Sequence, residues 1–187
     1  METKKTFIVM GNYRGGTTAV TQLLIEAGIY MGPKQDTNCE DPAFAVKDYF
    51  PETITKIGKV IKERNDMYEY WGFKFPGSYK FIDKLMPWLK RPHLIIVLRD
   101  PIAMQDSEAR RAKVDYSLTH IMNRQRELME AVDQFGVPKL FISYEHLLCK
   151  THRVCTSLSR FLGTGDIIKM EQIIGQYSDY GTHSWDY

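Results

Sequence analysis

The feature that most constrains this chain is a short apolar run that ends in a glycine and leads into a helix pattern. Thr6–Met10 is rich in strand-forming apolar residues, and Gly11 ends the run. Such a run is typical of a buried strand in a parallel sheet. From Thr17 to Ala27 the apolar residues recur at three- and four-residue spacing, and Gly28 stands where a helix C-cap is favoured. The chain therefore opens as strand, glycine-containing turn and helix.

The rest of the chain repeats this alternation of strand and helix. Further strands are predicted at Tyr70–Phe75, His93–Leu98 and Lys139–Ser143. Helices are predicted at Pro51–Arg64 and Tyr79–Leu89, from Pro101 onward, at Ser117–Phe135, and in the segment that runs to about Ile174. Alternating elements of this kind favour a three-layer α/β/α fold with a central parallel sheet, similar to P-loop NTPases. Ligands of such sheets bind beyond the carboxyl ends of the strands.

Composition limits the class of protein. A length of 187 residues suits one domain over 1–187, and a formal net charge of +2 argues against a dedicated nucleic-acid binder. Three cysteines lack metal-ligand spacing, which indicates free thiols in a reducing compartment. The first apolar run is too short for a secretion signal or a membrane span. We therefore expect a cytoplasmic protein with no membrane association.

The segment Gly11–Thr18, Gly-Asn-Tyr-Arg-Gly-Gly-Thr-Thr, has the glycine spacing of a phosphate-binding Walker loop. Its small residues let backbone N–H groups turn toward an anion, and the following helix dipole adds to the attraction. Thr17 stands where a Walker loop has lysine, so the usual cation for a triphosphate is missing. Arg14 supplies a cation earlier in the loop. This pattern indicates a 5′-phosphate group that is smaller than a triphosphate, or else a plain glycine-rich turn.

A second anion anchor is predicted after the strand His93–Leu98. The strand leads into Arg99-Asp100-Pro101, and Ser107 follows less than two helical turns after Pro101. A guanidinium and a hydroxyl placed in this way can converge on a second phosphate, and Asp100 can cap the helix. The alternative is that Arg99 only pairs with a nearby carboxylate.

Together these motifs resemble the sulfotransferase family. Arg14–Thr18 is similar to that family's 5′-phosphosulfate loop, and Ile95–Pro101 with Ser107 is similar to its 3′-phosphate motif. A third element agrees, because Ile142–Leu148 followed by Phe161–Gly163 resembles the family's Tyr-Glu-Asp-Leu and Phe-Leu-Gly segments. The matches occur in the family's order. Two departures are Gly15 in place of the usual serine and the lack of a C-terminal Arg-Lys-Gly segment, which cytosolic small-molecule members use for the 3′-phosphate.

The resemblance implies 3′-phosphoadenosine-5′-phosphosulfate (PAPS) as the donor, with adenosine 3′,5′-bisphosphate (PAP) as the product and no metal. Arg14, Gly15, Gly16, Thr17 and Thr18 would then hold the 5′-phosphosulfate. Arg99 and Ser107 would hold the 3′-phosphate, and Tyr144 would lie near the adenine. The acceptor is expected to be a small molecule or carbohydrate with a hydroxyl or amine, and a homo-oligomer is possible.

Sulfuryl transfer needs positive charge near the leaving oxygen and usually a base. Arg14 and Lys74 are the candidates for the positive charge, and Lys74 lies in a Lys-x-Pro element similar to that of some sulfotransferases. Glu40 is the first candidate for the base and Asp41 the second. The alternatives are a solvated edge lysine at position 74 and two carboxylates that only solubilise a loop. Arg110, Arg111 and Lys113 form a basic cluster that either is solvated or guides an anion.

Two further functions remain open from the residues alone. One is a catalytically inert relative that retains PAPS or PAP binding. The other is a P-loop kinase-like phosphotransferase, which Thr17 disfavours because the loop lysine is absent.

Overall fold

The computed structural model describes residues 4–33, 38–112 and 116–177. Four strands form one parallel sheet: β1 (Lys5–Gly11), β2 (Tyr70–Lys74), β3 (Pro92–Leu98) and β4 (Lys139–Ser143). Their spatial order is β2-β1-β3-β4. Phe7 of β1 lies opposite Gly72 of β2 and His93 of β3, which gives the register of the β1–β2 and β1–β3 pairs. The four predicted strands and their parallel arrangement are confirmed.

Helices cover both faces of this sheet. They are α1 (Thr17–Glu26), α2 (Pro51–Met67), α3 (Ile82–Leu85), α4 (Pro101–Ala112), α5 (Leu118–Asp133), α6 (Tyr144–Cys149), α7 (Thr151–Leu162) and α8 (Ile167–Gly175). Two short 3₁₀ helices, Pro76–Lys80 and Met86–Trp88, flank α3. No helix in the described ranges is both long and apolar enough to cross a membrane.

Two hydrophobic cores result from the alternation of side chains along the strands. Phe7 and Val9 of β1 pack with α1 and α6–α8 on one face. Ile8 and Met10 pack with α2, α3 and α5 on the other face. The predicted three-layer α/β/α architecture is therefore confirmed.

The segment Tyr79–Leu89, predicted as helical with a kink or an end at Pro87, is divided into α3 and parts of two 3₁₀ helices. Phe81 interrupts the segment with a non-helical backbone (φ −144°, ψ 5°), and its side chain is fully buried. Pro87 lacks an N–H, and a second short 3₁₀ helix forms around it. Burial of Phe81 in the core has overridden the helix pattern of this segment. Two elements end at other residues than predicted: α2 continues to Met67, and β2 stops at Lys74.

Candidate active site

The loop between β1 and α1 has two positions, Gly15 and Gly16, at which a side chain would clash with neighbouring atoms. Gly16 has φ +86° at the start of α1, and a Cβ there would lie 2.1 Å from the Tyr144 ring. A Cβ on Gly15 would lie 2.7 Å from the Asn12 carbonyl oxygen, which accepts a hydrogen bond from the Gly15 N–H. Serine at position 15 would therefore not fit this loop. Gly16 is the N-cap of α1 and has no side chain to accept from the first-turn N–H groups, which carry the positive end of the helix dipole.

The two predicted anion anchors lie side by side. The Arg99 guanidinium donates to the Arg14 carbonyl oxygen at 2.9 Å, and Arg14 Nε donates to Ser107 Oγ at 3.2 Å. The Tyr144 ring lies 4.8 Å from the Arg99 guanidinium carbon. Four residues that are far apart in the sequence thus form one cluster around the loop.

Arg99 has a hydrogen-bond donor that the described residues leave unused. Its Nε is buried without a hydrogen-bond partner, and it makes no ion pair with any carboxylate in the described ranges. Burial lowers the pKa of Arg99, and the charge of Arg110 lowers it further, whereas Tyr144, Glu145 and Asp100 oppose this. The alternative that Arg99 only pairs with a carboxylate is not what the structure shows. A half-buried guanidinium with an unused donor suits an anionic ligand.

Asp100 and Glu145 hold the ends of β3 and β4 together. Asp100 Oδ1 accepts from the Ala103 N–H at 2.8 Å, so Asp100 caps α4 as predicted. Glu145 accepts from the Asp100 N–H at 2.9 Å and from Ser143 Oγ at 2.9 Å. The sequence assigned no role to Glu145, although its place in the third family-like segment was a signal.

Lys74 and Glu40 form an ion pair on the β2 side of the loop. Lys74 Nζ lies 3.0 Å from Glu40 Oε1, and it also donates to the Asn38 carbonyl oxygen at 2.8 Å. Thr18 Oγ1 donates to the same carbonyl at 3.1 Å, which links the pair to the phosphate loop. Lys74 is only 2% exposed, so the alternative of a solvated edge lysine is excluded. The sequence analysis assigned no role to Asn38, because this residue accepts both hydrogen bonds with its backbone oxygen.

Asp41 faces away from this pair and into the protein. Its side chain is fully buried and forms an ion pair with Arg64. The Arg64 guanidinium carbon also lies between 5.3 and 5.6 Å from the centroids of three aromatic rings, those of Tyr30, Phe44 and Trp71. Because the Asp41 carboxylate is already satisfied, the geometry favours Glu40 over Asp41 as a base.

Tyr13, to which the sequence assigned no role, lies within electrostatic range of Glu40. Tyr13, in the phosphate loop, is 43% exposed, and its ring meets the Phe75 ring edge-on at 6.5 Å. Burial raises the pKa of Tyr13, and the charges of Glu40 and Tyr49 raise it further, while Arg124 lowers it. The Tyr13 hydroxyl therefore stays protonated at neutral pH beside Glu40.

Other aromatic side chains contribute to the core or to surfaces outside this cluster. Trp71 is core, and Trp88 packs against Gly58. Tyr68 and Tyr70 line a groove at the amino end of β2, away from the loop. Of the predicted basic cluster, Arg110 is exposed, whereas Lys113 and the side chain of Arg111 lie outside the described residues.

A cavity of about 330 Å³ opens beside Arg99, at the carboxyl ends of β3 and β4. Its lining consists of Leu98, Arg99, Gln125, Arg126, Met129, Ser143 and Glu145. This is the edge at which parallel α/β sheets bind ligands.

Comparison with solved structures shows that this chain shares the fold of sulfotransferases. The sulfotransferase domain of the Synechococcus PCC 7002 olefin synthase has a TM-score of 0.64 at 17% identity, over 87% of this chain and 74% of that chain. Mouse sulfotransferase SULT7A1, solved with PAP, has a TM-score of 0.61 at 10% identity, over 98% of this chain and 69% of that one. No family model matches the sequence, and no curated protein matches it.

The fold is also shared with P-loop kinases. A gluconokinase from Sinorhizobium meliloti 1021 has a TM-score of 0.53 at 10% identity, over 98% of this chain and the whole of that chain. At such identities the likeness establishes the fold and leaves the chemistry to the site.

Proposed function

We propose that this protein is a sulfotransferase that moves a sulfuryl group from PAPS to a hydroxyl or amine acceptor. The observation that carries the proposal is the cluster of Arg99, Arg14 and Ser107 around a glycine loop that has threonine in place of the Walker lysine. PAPS has two separated phosphate sites and no triphosphate, which suits two adjacent anchors. Mouse SULT7A1, which has this fold, was solved with PAP, the product nucleotide of such a donor.

The residues present fit such a donor. The first-turn N–H groups of α1, with Gly15, Gly16, Thr17 and Thr18, would hold the 5′-phosphosulfate. Arg99 would use its free Nε on the 3′-phosphate together with Ser107. Tyr144 packs against Gly16 and Arg99, and it would lie near the adenine of the donor.

Lys74 and Glu40 would carry the chemistry. Glu40 would take the proton from the acceptor as the acceptor oxygen or nitrogen bonds to sulfur and the bond from sulfur to the phosphate oxygen breaks. The Lys74 ammonium and Arg14 would stabilise the negative charge that develops on that phosphate oxygen. The ion pair between Lys74 and Glu40 holds both groups at the carboxyl end of β2, beside the loop.

The proposal is tested by calorimetric binding of PAP compared with ATP and magnesium. We expect tight binding of PAP and weak binding of ATP. Arg99→Ala is expected to weaken PAP binding by about 1.5–3 kcal/mol, the scale of a charge-assisted hydrogen bond. A preference for magnesium-ATP would instead support kinase-like phosphotransfer. Tight PAP binding without transfer to any acceptor would identify an inert relative.

A further inference from the structure

The cavity beside Arg99 brings together two arginines from different elements. Arg99 follows β3, whereas Arg126 comes from the middle of α5. Gln125 Nε2 donates to the Arg99 carbonyl oxygen at 2.7 Å, which ties α5 to the residue that follows β3. The position of Arg126 next to Arg99 is therefore set by the packing of the fold.

Neither guanidinium is fully used within the protein. Arg99 Nε is buried and has no hydrogen-bond partner among the residues that the structure describes. Arg126 Nε lies 3.7 Å from Glu130 Oε1, and both of these side chains are about two-thirds exposed, at 69% and 68%. An exposed pair of this kind contributes little energy, so Arg126 can turn toward a ligand at low cost.

The charges around the cavity favour an anion. Arg110, one helical turn after Ser107 on α4, adds a third positive charge that acts on Arg99. Glu145 is the carboxylate in the lining, and its two oxygens already accept hydrogen bonds from the Asp100 N–H and from Ser143 Oγ. An anion bound in the cavity would be attracted by Arg99 and Arg126, which both line it.

We propose that Arg126, on α5, is a second cation for the 3′-phosphate of the nucleotide, together with Arg99 in the lining of the same cavity. This inference rests on the proposed function. On this proposal α5 supplies the second positive charge.

The test compares PAP with adenosine 5′-phosphate, which lacks the 3′-phosphate, by calorimetry on the whole chain. Arg126→Ala is expected to weaken PAP binding about tenfold and to change the affinity for adenosine 5′-phosphate by less than about twofold. Arg153→Ala, which removes an exposed arginine of α7, is the control with the same change in net charge and should alter neither affinity.

The outcomes separate this inference from the proposed function. If the wild-type protein prefers PAP but Arg126→Ala keeps the wild-type ratio of the two affinities, the role of Arg126 is overturned and the proposed function stands. If the wild-type protein binds PAP no better than adenosine 5′-phosphate, both are overturned. Since Arg126 is exposed, loss of folding is not expected to obscure the result, and a thermal melt of each variant checks this.

Discussion

Among single residues, Gly16 shows most clearly how the loop depends on its sequence. It combines a left-handed backbone with a ring packed directly against its Cα, because Tyr144 occupies the space that any side chain would need. Gly28 has nearly the same backbone angle, φ +83°, yet nothing lies within 4 Å of the Cβ it would carry. Substitutions at the two glycines can therefore be compared to separate the energetic cost of the backbone conformation from that of the contact with Tyr144.

We predict that Gly16→Ala lowers the free energy of unfolding more than Gly28→Ala does. The left-handed conformation costs each alanine about 1–2 kcal/mol. Overpacking against Tyr144 should add about 1–3 kcal/mol at position 16 alone. Urea denaturation of the two variants measures the difference. Equal losses would mean that Tyr144 is not packed against the loop in solution.

Lys74 allows a second prediction about a single residue. Lys74→Ala is expected to slow the turnover of PAPS more than it weakens PAP binding, because the ammonium faces Glu40 and the loop and is separate from the Arg99 cluster. Turnover is followed as PAP release and binding by calorimetry. Lys80→Ala removes an exposed lysine six residues away and is the control. Wild-type turnover in Lys74→Ala would remove Lys74 from the mechanism.

Between elements, a buried ion pair joins the segment that precedes α2 to α2 itself. Asp41 and Arg64 join this connection to α2, and the Asp41 N–H donates to the Lys74 carbonyl oxygen at 3.4 Å. Two backbone N–H groups farther along, those of Phe44 and Ala45, donate to the Asp41 carbonyl oxygen. Since Glu40 is the preceding residue, the ion pair also determines where the candidate base lies.

Asp41→Asn is therefore predicted to destabilise the protein by about 3–5 kcal/mol, because it leaves the Arg64 charge buried without a counter-charge. The double variant Asp41→Asn with Arg64→Met removes both charges and should recover part of this loss. Denaturant unfolding of the single and double variants gives the coupling between the two residues. A double variant as unstable as the sum of the single changes would contradict a direct interaction.

The elements also show what the sequence could and could not predict. Continuous apolar runs such as Ile95–Leu98 were sufficient to locate the strands, and spacing was sufficient to relate Arg99 to Ser107. Phe81 was not predictable, because its break in the helix pattern depends on burial against Tyr49 and Phe75. The bond from Arg14 to Ser107 likewise depends on two side chains that are 93 residues apart.

Over the whole molecule, the candidate site joins the carboxyl ends of all four strands. Residues from β1, β2 and β3 and from the segment after β4 contribute to it, and those strands contribute side chains to both hydrophobic cores. A ligand bound there would hold together elements that lie on opposite faces of the sheet. Binding should therefore raise the free energy of unfolding of the entire chain. This effect can be measured without knowing the acceptor.

We predict that PAP at about 100 times its dissociation constant raises the free energy of unfolding by about 2.7 kcal/mol, because only the folded chain binds it. For a chain of this size the midpoint of thermal unfolding should rise by about 5–10 °C. In Arg99→Ala, an affinity loss of about 1.5–3 kcal/mol would reduce the gain at the same PAP concentration to about 0.3–1.3 kcal/mol. Each variant is compared with itself without ligand, so any intrinsic destabilisation cancels. If magnesium-ATP raises the free energy of unfolding more than the same concentration of PAP does, the protein binds ATP more tightly. That result would contradict PAPS as the donor.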